Sequence, residues 1–166
     1  MKKCVFAGTF DPPTAGHKAV VDNCLKIFDE VVVAVMHNTA KTCFLSVDER
    51  LELLSKVFGS NSRVRVRAYN GAAVDILKEE DTVFYVRGVR DTIDFEYEKR
   101  DFFASKKLMP DMVTLYIPAE QEGLHISSTL VRNSIEFEKA WEGYVPSEIV
   151  QDLKKIAEKR KCSKDR

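Results

Sequence analysis

Three groups of residues in this chain have the types and spacing to hold phosphate. The first is Thr9 and His17, with Gly8 before them and Phe10-Asp11-Pro12-Pro13-Thr14-Ala15-Gly16 between them. The second is Arg87-Gly88-Val89-Arg90, followed closely by Asp94-Phe95-Glu96-Tyr97-Glu98. The third is Ile126-Ser127-Ser128-Thr129, and Lys41 adds a lone cation in a polar loop. Hydroxyls, an imidazole, guanidiniums and an ammonium are all hydrogen-bond donors, and an anionic ligand is the partner they share. No Cys or Ser stands beside a base as an activated nucleophile would. The chemistry these residues can do is therefore placement and charge stabilisation around phosphate groups, without a covalent intermediate.

The elements that must position them follow from hydrophobic periodicity. Residues 2–7 read as a short buried strand, and Gly8, lacking a Cβ, lets backbone approach a ligand at its end. Asp11-Pro12-Pro13 is a turn, because the prolines fix φ and stop the strand. Thr14-Ala15-Gly16-His17 opens a helix whose apolar positions continue as Ala19, Val20, Cys24, Leu25, Ile27 and Phe28. A strand that delivers a Gly-containing turn to a helix N-terminus makes an anion site, since the first N–H groups are free and the dipole end is positive.

The rest of the chain alternates strand and helix. Residues 31–36 form a continuous apolar run, the mark of a strand buried on both faces. Residues 38–45 are a loop containing Lys41; Ser46-Val47-Asp48-Glu49 is a capping box, and the helix after it presents Val47, Leu51, Leu54 and Phe58. Residues 63–69 alternate arginine with apolar side chains, which predicts an edge strand with a solvated face. A short helix is expected over 71–77, and a buried strand over 82–86 ends in Arg87-Gly88-Val89-Arg90. A long helix is expected over 91–108, then a strand over 112–117. Helices open near Ile126 and after Pro146. Residues 159–166 read as a charged, frayed tail. Five strands separated mostly by helices predict an α/β fold with a parallel sheet. Residues 1–158 are assigned to one domain. Ligands on such sheets sit beyond the strands' C-terminal ends, where Thr9, Lys41 and Arg87 are expected.

Composition limits the partners. Lys+Arg and Asp+Glu balance at 26 each in 166 residues, so no global field recruits nucleic acid or an anionic membrane. The longest apolar runs are too short to span a bilayer, and the N-terminus carries no signal-peptide pattern. Cys4, Cys24, Cys43 and Cys162 show neither CxxC nor zinc spacing, which predicts free thiols in a reducing, cytoplasmic setting and no protein metal site.

The run Gly8-Thr9-Phe10-Asp11-Pro12 with Thr14-x-Gly16-His17 resembles the T/HxGH signature of nucleotidyltransferases. The three motifs together, in order and spacing over residues 2 to about 150, resemble the phosphopantetheine adenylyltransferase family. The resemblance implies a Rossmann-like doubly wound five-stranded parallel sheet of nucleotidyltransferase type. It also implies transfer of AMP from ATP to 4′-phosphopantetheine, giving dephospho-coenzyme A and pyrophosphate in coenzyme A biosynthesis, in a homohexamer. By the same resemblance, His17 stabilises the transition state and Thr9 places the acceptor phosphate, while Lys41 and Arg87 bind the acceptor. Phe10, Gly88, Val89, Arg90 and Glu98 serve ATP. Gly123, Leu124, His125, Ile126, Ser127, Ser128 and Thr129 hold its outer phosphates, with Mg2+ carried by ATP and few direct protein ligands. His37 is expected to be structural.

The sequence departs from the family pattern in four places. Thr129 replaces a serine, Pro13 a bulky aliphatic residue, and Thr42-Cys43-Phe44 lacks a common proline. Ala72-Ala73 stands where bulky apolar residues contact the pantetheine arm, which implies a looser arm site near Ala73 unless Val74 or Ile76 compensates. The alternatives are another adenylyl- or cytidylyltransferase, such as nicotinamide mononucleotide adenylyltransferase, and a non-catalytic nucleotide-binding module. The run from Asp94 to Glu98 resembles the phosphopantetheine branch.

Overall fold

The computed structural model describes residues 1–36 and 43–164. Five parallel strands, β1 (Lys3–Gly8), β2 (Glu30–Met36), β3 (Val64–Tyr69), β4 (Phe84–Val89) and β5 (Val113–Pro118), form one sheet in the order β3-β2-β1-β4-β5. Six helices connect or follow them: α1 (Ala15–Cys24), α2 (Val47–Phe58), α3 (Ala73–Glu79), α4 (Thr92–Leu108), α5 (Ser128–Glu136) and α6 (Val150–Lys164). The chain winds outward from β1 to β3, then crosses back to β4 beside β1. This is a doubly wound sheet, as the family resemblance implies. It leaves a crevice where the connections after β1 and β4 diverge.

Side-chain alternation explains why both faces are covered. Cys4 and Phe6 of β1, with Val31, Val33 and Val35 of β2, pack on one side against α1, α2, α5 and α6. Val5, Ala7, Val32 and Ala34 point the other way, against Val74, Ile76 and Leu77 of α3. Residues 4–7 of β1 and 31–35 of β2 are thus apolar without interruption, because both faces are interior. The capping box at Ser46 forms as expected: Glu49 N–H donates to Ser46 Oγ, and Ser46 N–H to Glu49 Oε2.

Several features differ from expectation, among them the start of α3, which lies at Ala73. The helix after the Thr14 turn stops at Cys24, and Ile27 is exposed. β4 runs on through Arg87, Gly88 and Val89, because its ladder with β5 continues to the Val89–Pro118 pair. Residues 159–164, expected to fray, are helical, and Arg160 bonds Glu49 while Lys161 bonds Glu138. β3 is an edge strand as predicted, yet its arginines are not simply solvated. Arg65 and Arg67 both bond the buried carboxylate of Glu80, at the end of α3. Hydrogen bonds from Arg65 and Arg67 overcome the cost of burial and hold Glu80 down at about 2.

Candidate active site

A cavity of about 420 Å³ opens beyond the C-terminal ends of β1 and β4. Its walls are the turn after β1, the first turn of α1, the end of β4 and the first turn of α5. The size suits a small-molecule site.

The turn after β1 is built around Phe10. Its φ of 52° lies in the left-handed region, which a bulky residue adopts only when packing fixes it. Here the ring stands edge-on to Phe6 at 5.3 Å and to His17 at 4.9 Å. Gly8 eases that seat, because a Cβ there would meet the Phe10 ring at 3.1 Å and the ring would have to give way. Gly8 also lines the cavity, so its backbone is open to a ligand. Asp11 is buried and accepts from the N–H groups of Phe44 and Leu45, both at 2.7 Å.

His17 is the third residue of α1 and completes a capping box with Thr14. Thr14 N–H donates to His17 Nδ1 at 3.0 Å, and His17 N–H donates to Thr14 Oγ1. A ring nitrogen that accepts from backbone carries no proton, so the proton of the neutral ring sits on Nε2. Desolvation first, then the charges of Arg90 and Arg87, lowers the imidazole to about 4. At neutral pH, His17 is therefore an uncharged donor through Nε2–H.

The charged side chains of the cavity are paired with one another. Arg87 and Glu98 form a bidentate ion pair, with Arg87 Nε donating to Glu98 Oε2 and Arg87 NH2 donating to Glu98 Oε1. Arg87 NH1 also donates to Ala7 O at 2.9 Å and to the Tyr85 hydroxyl at 3.2 Å. A guanidinium has five N–H groups, so Arg87 has committed all but one of them within the described residues. The two residues expected to serve different substrates thus hold each other. Arg90 is likewise held by both carboxylate oxygens of Asp94, at 2.8 and 3.1 Å. The reason is helical spacing: Asp94 and Glu98 lie one turn apart on α4, facing the end of β4.

Each hydroxyl of the third motif also has a partner. Ser127 caps α5 by accepting from Leu130 N–H at 3.0 Å, Ser128 donates to Pro12 O at 2.8 Å, and Thr129 accepts from Arg132 NH2 at 3.0 Å. The backbone N–H groups of Ser128 and Thr129, in the first turn of α5, have no hydrogen-bond partner among the described residues. They are what this segment offers an anion.

The cavity therefore brings together Thr9, Phe10, His17, Arg87 and Arg90, with Gly88, Val89 and Glu98 beside them. Gly123, Ile126, Ser127, Ser128 and Thr129 line it from the α5 side. Leu124 and His125 do not: Leu124 is exposed, and the His125 ring packs edge-on against Tyr144 at 5.4 Å. Ala73 is in the first turn of α3 and does not line the cavity, while Val74 and Ile76 are locked in the core and cannot turn toward it. Lys41 and His37 lie outside the described residues.

Motif reasoning missed three residues. Arg132 lines the cavity and donates to Asp11 O as well as Thr129, tying α5 to the turn. Its position three residues after Thr129, on the same helix face, was the available signal. Asp11 reads in sequence as turn chemistry alone, yet it is buried and lines the cavity. Arg50 sits in a pattern that only indicates a solvated helix position, yet it is buried, and its guanidinium reaches Thr9 O at 2.9 Å and Ser46 O at 3.2 Å.

Comparison with known proteins agrees with this geometry. The cytidylyltransferase-like family model matches residues 5–134. A Fusobacterium nucleatum protein named phosphopantetheine adenylyltransferase is 35% identical over 92% of this chain and 94% of its own length. A Clostridium botulinum protein of the same name is 34% identical over 98% of this chain and 99% of its own. A solved Vibrio parahaemolyticus structure, provisionally named a nicotinate-nucleotide adenylyltransferase, superposes with a TM-score of 0.70 over 95% of each chain. At 21% identity it shares the fold. The near-complete overlap with these relatives, together with the family model, places the chain in the phosphopantetheine adenylyltransferase family.

Proposed function

We propose that this chain transfers the adenylyl group of ATP to 4′-phosphopantetheine, releasing pyrophosphate and forming dephospho-coenzyme A. The observation that carries this reading is the neutral His17 donor, set in a cavity onto which the N-termini of α1 and α5 both open. That arrangement suits a reaction in which two phosphate-bearing molecules must meet. An oxygen of the acceptor phosphate attacks the α-phosphorus of ATP. As the new P–O bond forms, the bond from the α-phosphorus to its bridging oxygen breaks, and pyrophosphate leaves with that electron pair. His17 Nε2–H donates to an α-phosphate oxygen as charge builds there. Thr9 places the acceptor phosphate, to which Lys41 and the remaining N–H of Arg87 also donate. Gly88, Val89, Arg90 and Glu98 hold the nucleoside side of ATP, and the Ser128 and Thr129 N–H groups, with Arg132, hold its outer phosphates.

Magnesium carried on the ATP phosphates would supply charge neutralisation there. Asp11, Asp94 and Glu98 already accept from Phe44 and Leu45, Arg90 and Arg87, which fits an ion held by the nucleotide with few protein ligands. Four free thiols support a reducing, cytoplasmic setting. No helix among the described residues is long and apolar enough to cross a membrane.

Pyrophosphate release tests the reaction. Turnover of ATP with 4′-phosphopantetheine is expected to exceed that with nicotinamide mononucleotide or nicotinate mononucleotide, and that of CTP with glycerol phosphate. A preferred mononucleotide overturns the acceptor, preferred CTP overturns the nucleotide as well, and silence with every pair leaves a binding module.

The same reading includes a homohexamer. Ile93, Phe103 and Leu108 of α4, with Val113 at the start of β5, are exposed apolar side chains that an assembly would cover. Light scattering is expected to give the mass of six chains, and a monomer in dilute solution would sink that assignment.

A further inference from the structure

We propose that Arg160, on the C-terminal helix, is a positioning residue for the acceptor side of the site. It acts by fixing the segment 43–46 against the turn after β1. This rests on the proposed function, in which Thr9 and that turn place the acceptor phosphate.

The chain of contacts is continuous. Arg160 NH2 bonds Glu49 Oε2 at 2.7 Å, and its guanidinium carbon lies 5.0 Å from the centre of the Phe44 ring. The same Glu49 oxygen accepts from Ser46 N–H at 2.7 Å. One arginine thereby grips both Phe44 and the cap of α2. Between those two points, the N–H groups of Phe44 and Leu45 close on the two oxygens of Asp11. Asp11 belongs to the turn that carries Thr9, and Cys43, one residue before Phe44, lines the cavity.

The seat of Arg160 is not that of a solvated tail. Its Nε is buried with no hydrogen-bond partner among the described residues, a cost that an arginine free to reach water would avoid. The geometry points to a side chain held by Phe44 and Glu49 together. α6 is anchored for this task by Leu153 and Ala157 in the core and by the Lys56–Asp152 pair at 2.9 Å. The ATP side, made of β4 and α5, meets this chain of bonds at Asp11, whose backbone oxygen accepts from Arg132 of α5. The segment that Arg160 grips lies on the other side of Asp11, so the effect of losing Arg160 should fall mainly on the acceptor.

The test uses the full-length protein with Arg160→Ala and Arg160→Lys. Hydrogen exchange at the Phe44 and Leu45 amides is expected to speed up by about tenfold in Arg160→Ala, without change in the sheet. The KM for 4′-phosphopantetheine should rise by about five- to tenfold, with kcat and the KM for ATP within about twofold. Arg160→Lys, which keeps the charge on Glu49 and over Phe44, should recover part of both effects. Unchanged exchange, or an equal rise in both KM values, overturns the proposal. If the unaltered protein does not turn over 4′-phosphopantetheine, the functional reading fails, whereas the exchange result still decides whether Arg160 holds the segment.

Discussion

Replacing His17 by alanine is expected to cut turnover by about 10²–10³-fold, the usual effect of removing one preorganised donor to a developing charge. ATP affinity should stay within a few-fold, since the ring meets the α-phosphate most strongly in the transition state. The capping box has a second consequence. Loss of the imidazole leaves the Thr14 N–H without its acceptor at the start of α1, so some stability goes too. His17→Asn, which can still accept from Thr14, separates the two effects. It should restore stability more than rate. The titration has a definite sign. The folded imidazole ionises at about 4 and the unfolded one near 6.5, so between these values the unfolded chain binds a proton that the folded chain does not. Stability tied to His17 is therefore complete above about pH 6.5 and is lost as pH falls toward 4. Nitrogen chemical shifts of the ring check both points: the proton should reside on Nε2 and the ring should titrate near 4. Near-normal turnover in His17→Ala, or a ring that titrates near 6.5, would remove His17 from the mechanism.

The second large effect is expected at Arg87. Arg87→Ala leaves Glu98 facing the interior without its partner, and it also frees Ala7 O. Breaking a buried pair costs about 3–5 kcal/mol. This pair keeps some contact with solvent, with side chains 24% and 14% exposed. About 2–3 kcal/mol is therefore expected, a fall of roughly 5–10 °C in Tm. Acceptor use should fall further, because a charge-assisted bond to phosphate is worth about 1.5–3 kcal/mol, or about ten- to a hundredfold in kcat/KM. The double variant Arg87→Met with Glu98→Leu tells the two losses apart. It should regain most of the melting temperature, since an apolar pair of similar volume replaces an ion pair at little cost. It should not regain activity. If the double variant is both stable and active, Arg87 and Glu98 are only a structural pair.

Much of this molecule is written locally in the chain. The apolar run over residues 31–36 could only be a strand covered on both sides, and it lies second from the edge with both faces buried. The capping pairs Ser46 with Glu49, and Thr14 at the opening of α1, are set by residues three apart, within reach of short-range bonding. The grouping of Thr9, His17, Arg87 and Thr129 was also legible, because strand ends and helix starts in a parallel sheet share one rim. What the sequence could not decide is whom each charge would meet. Arg87 and Glu98 were legible as donor and acceptor, but their mutual pairing depends on how α4 lies against β4. Arg50 becomes buried only because the turn after β1 and the start of α2 converge on it. His125 and Ala73 lie in the right motifs yet outside the cavity, since a step of one or two residues at a helix start turns a side chain to another face. Residues 159–164 carry the composition of a frayed tail, and their order comes from Glu49 and Phe44, more than a hundred residues earlier. Period and spacing act over a few residues and so appear in sequence. The partners of a charged side chain are chosen by packing across the whole fold, and only the tertiary structure decides them.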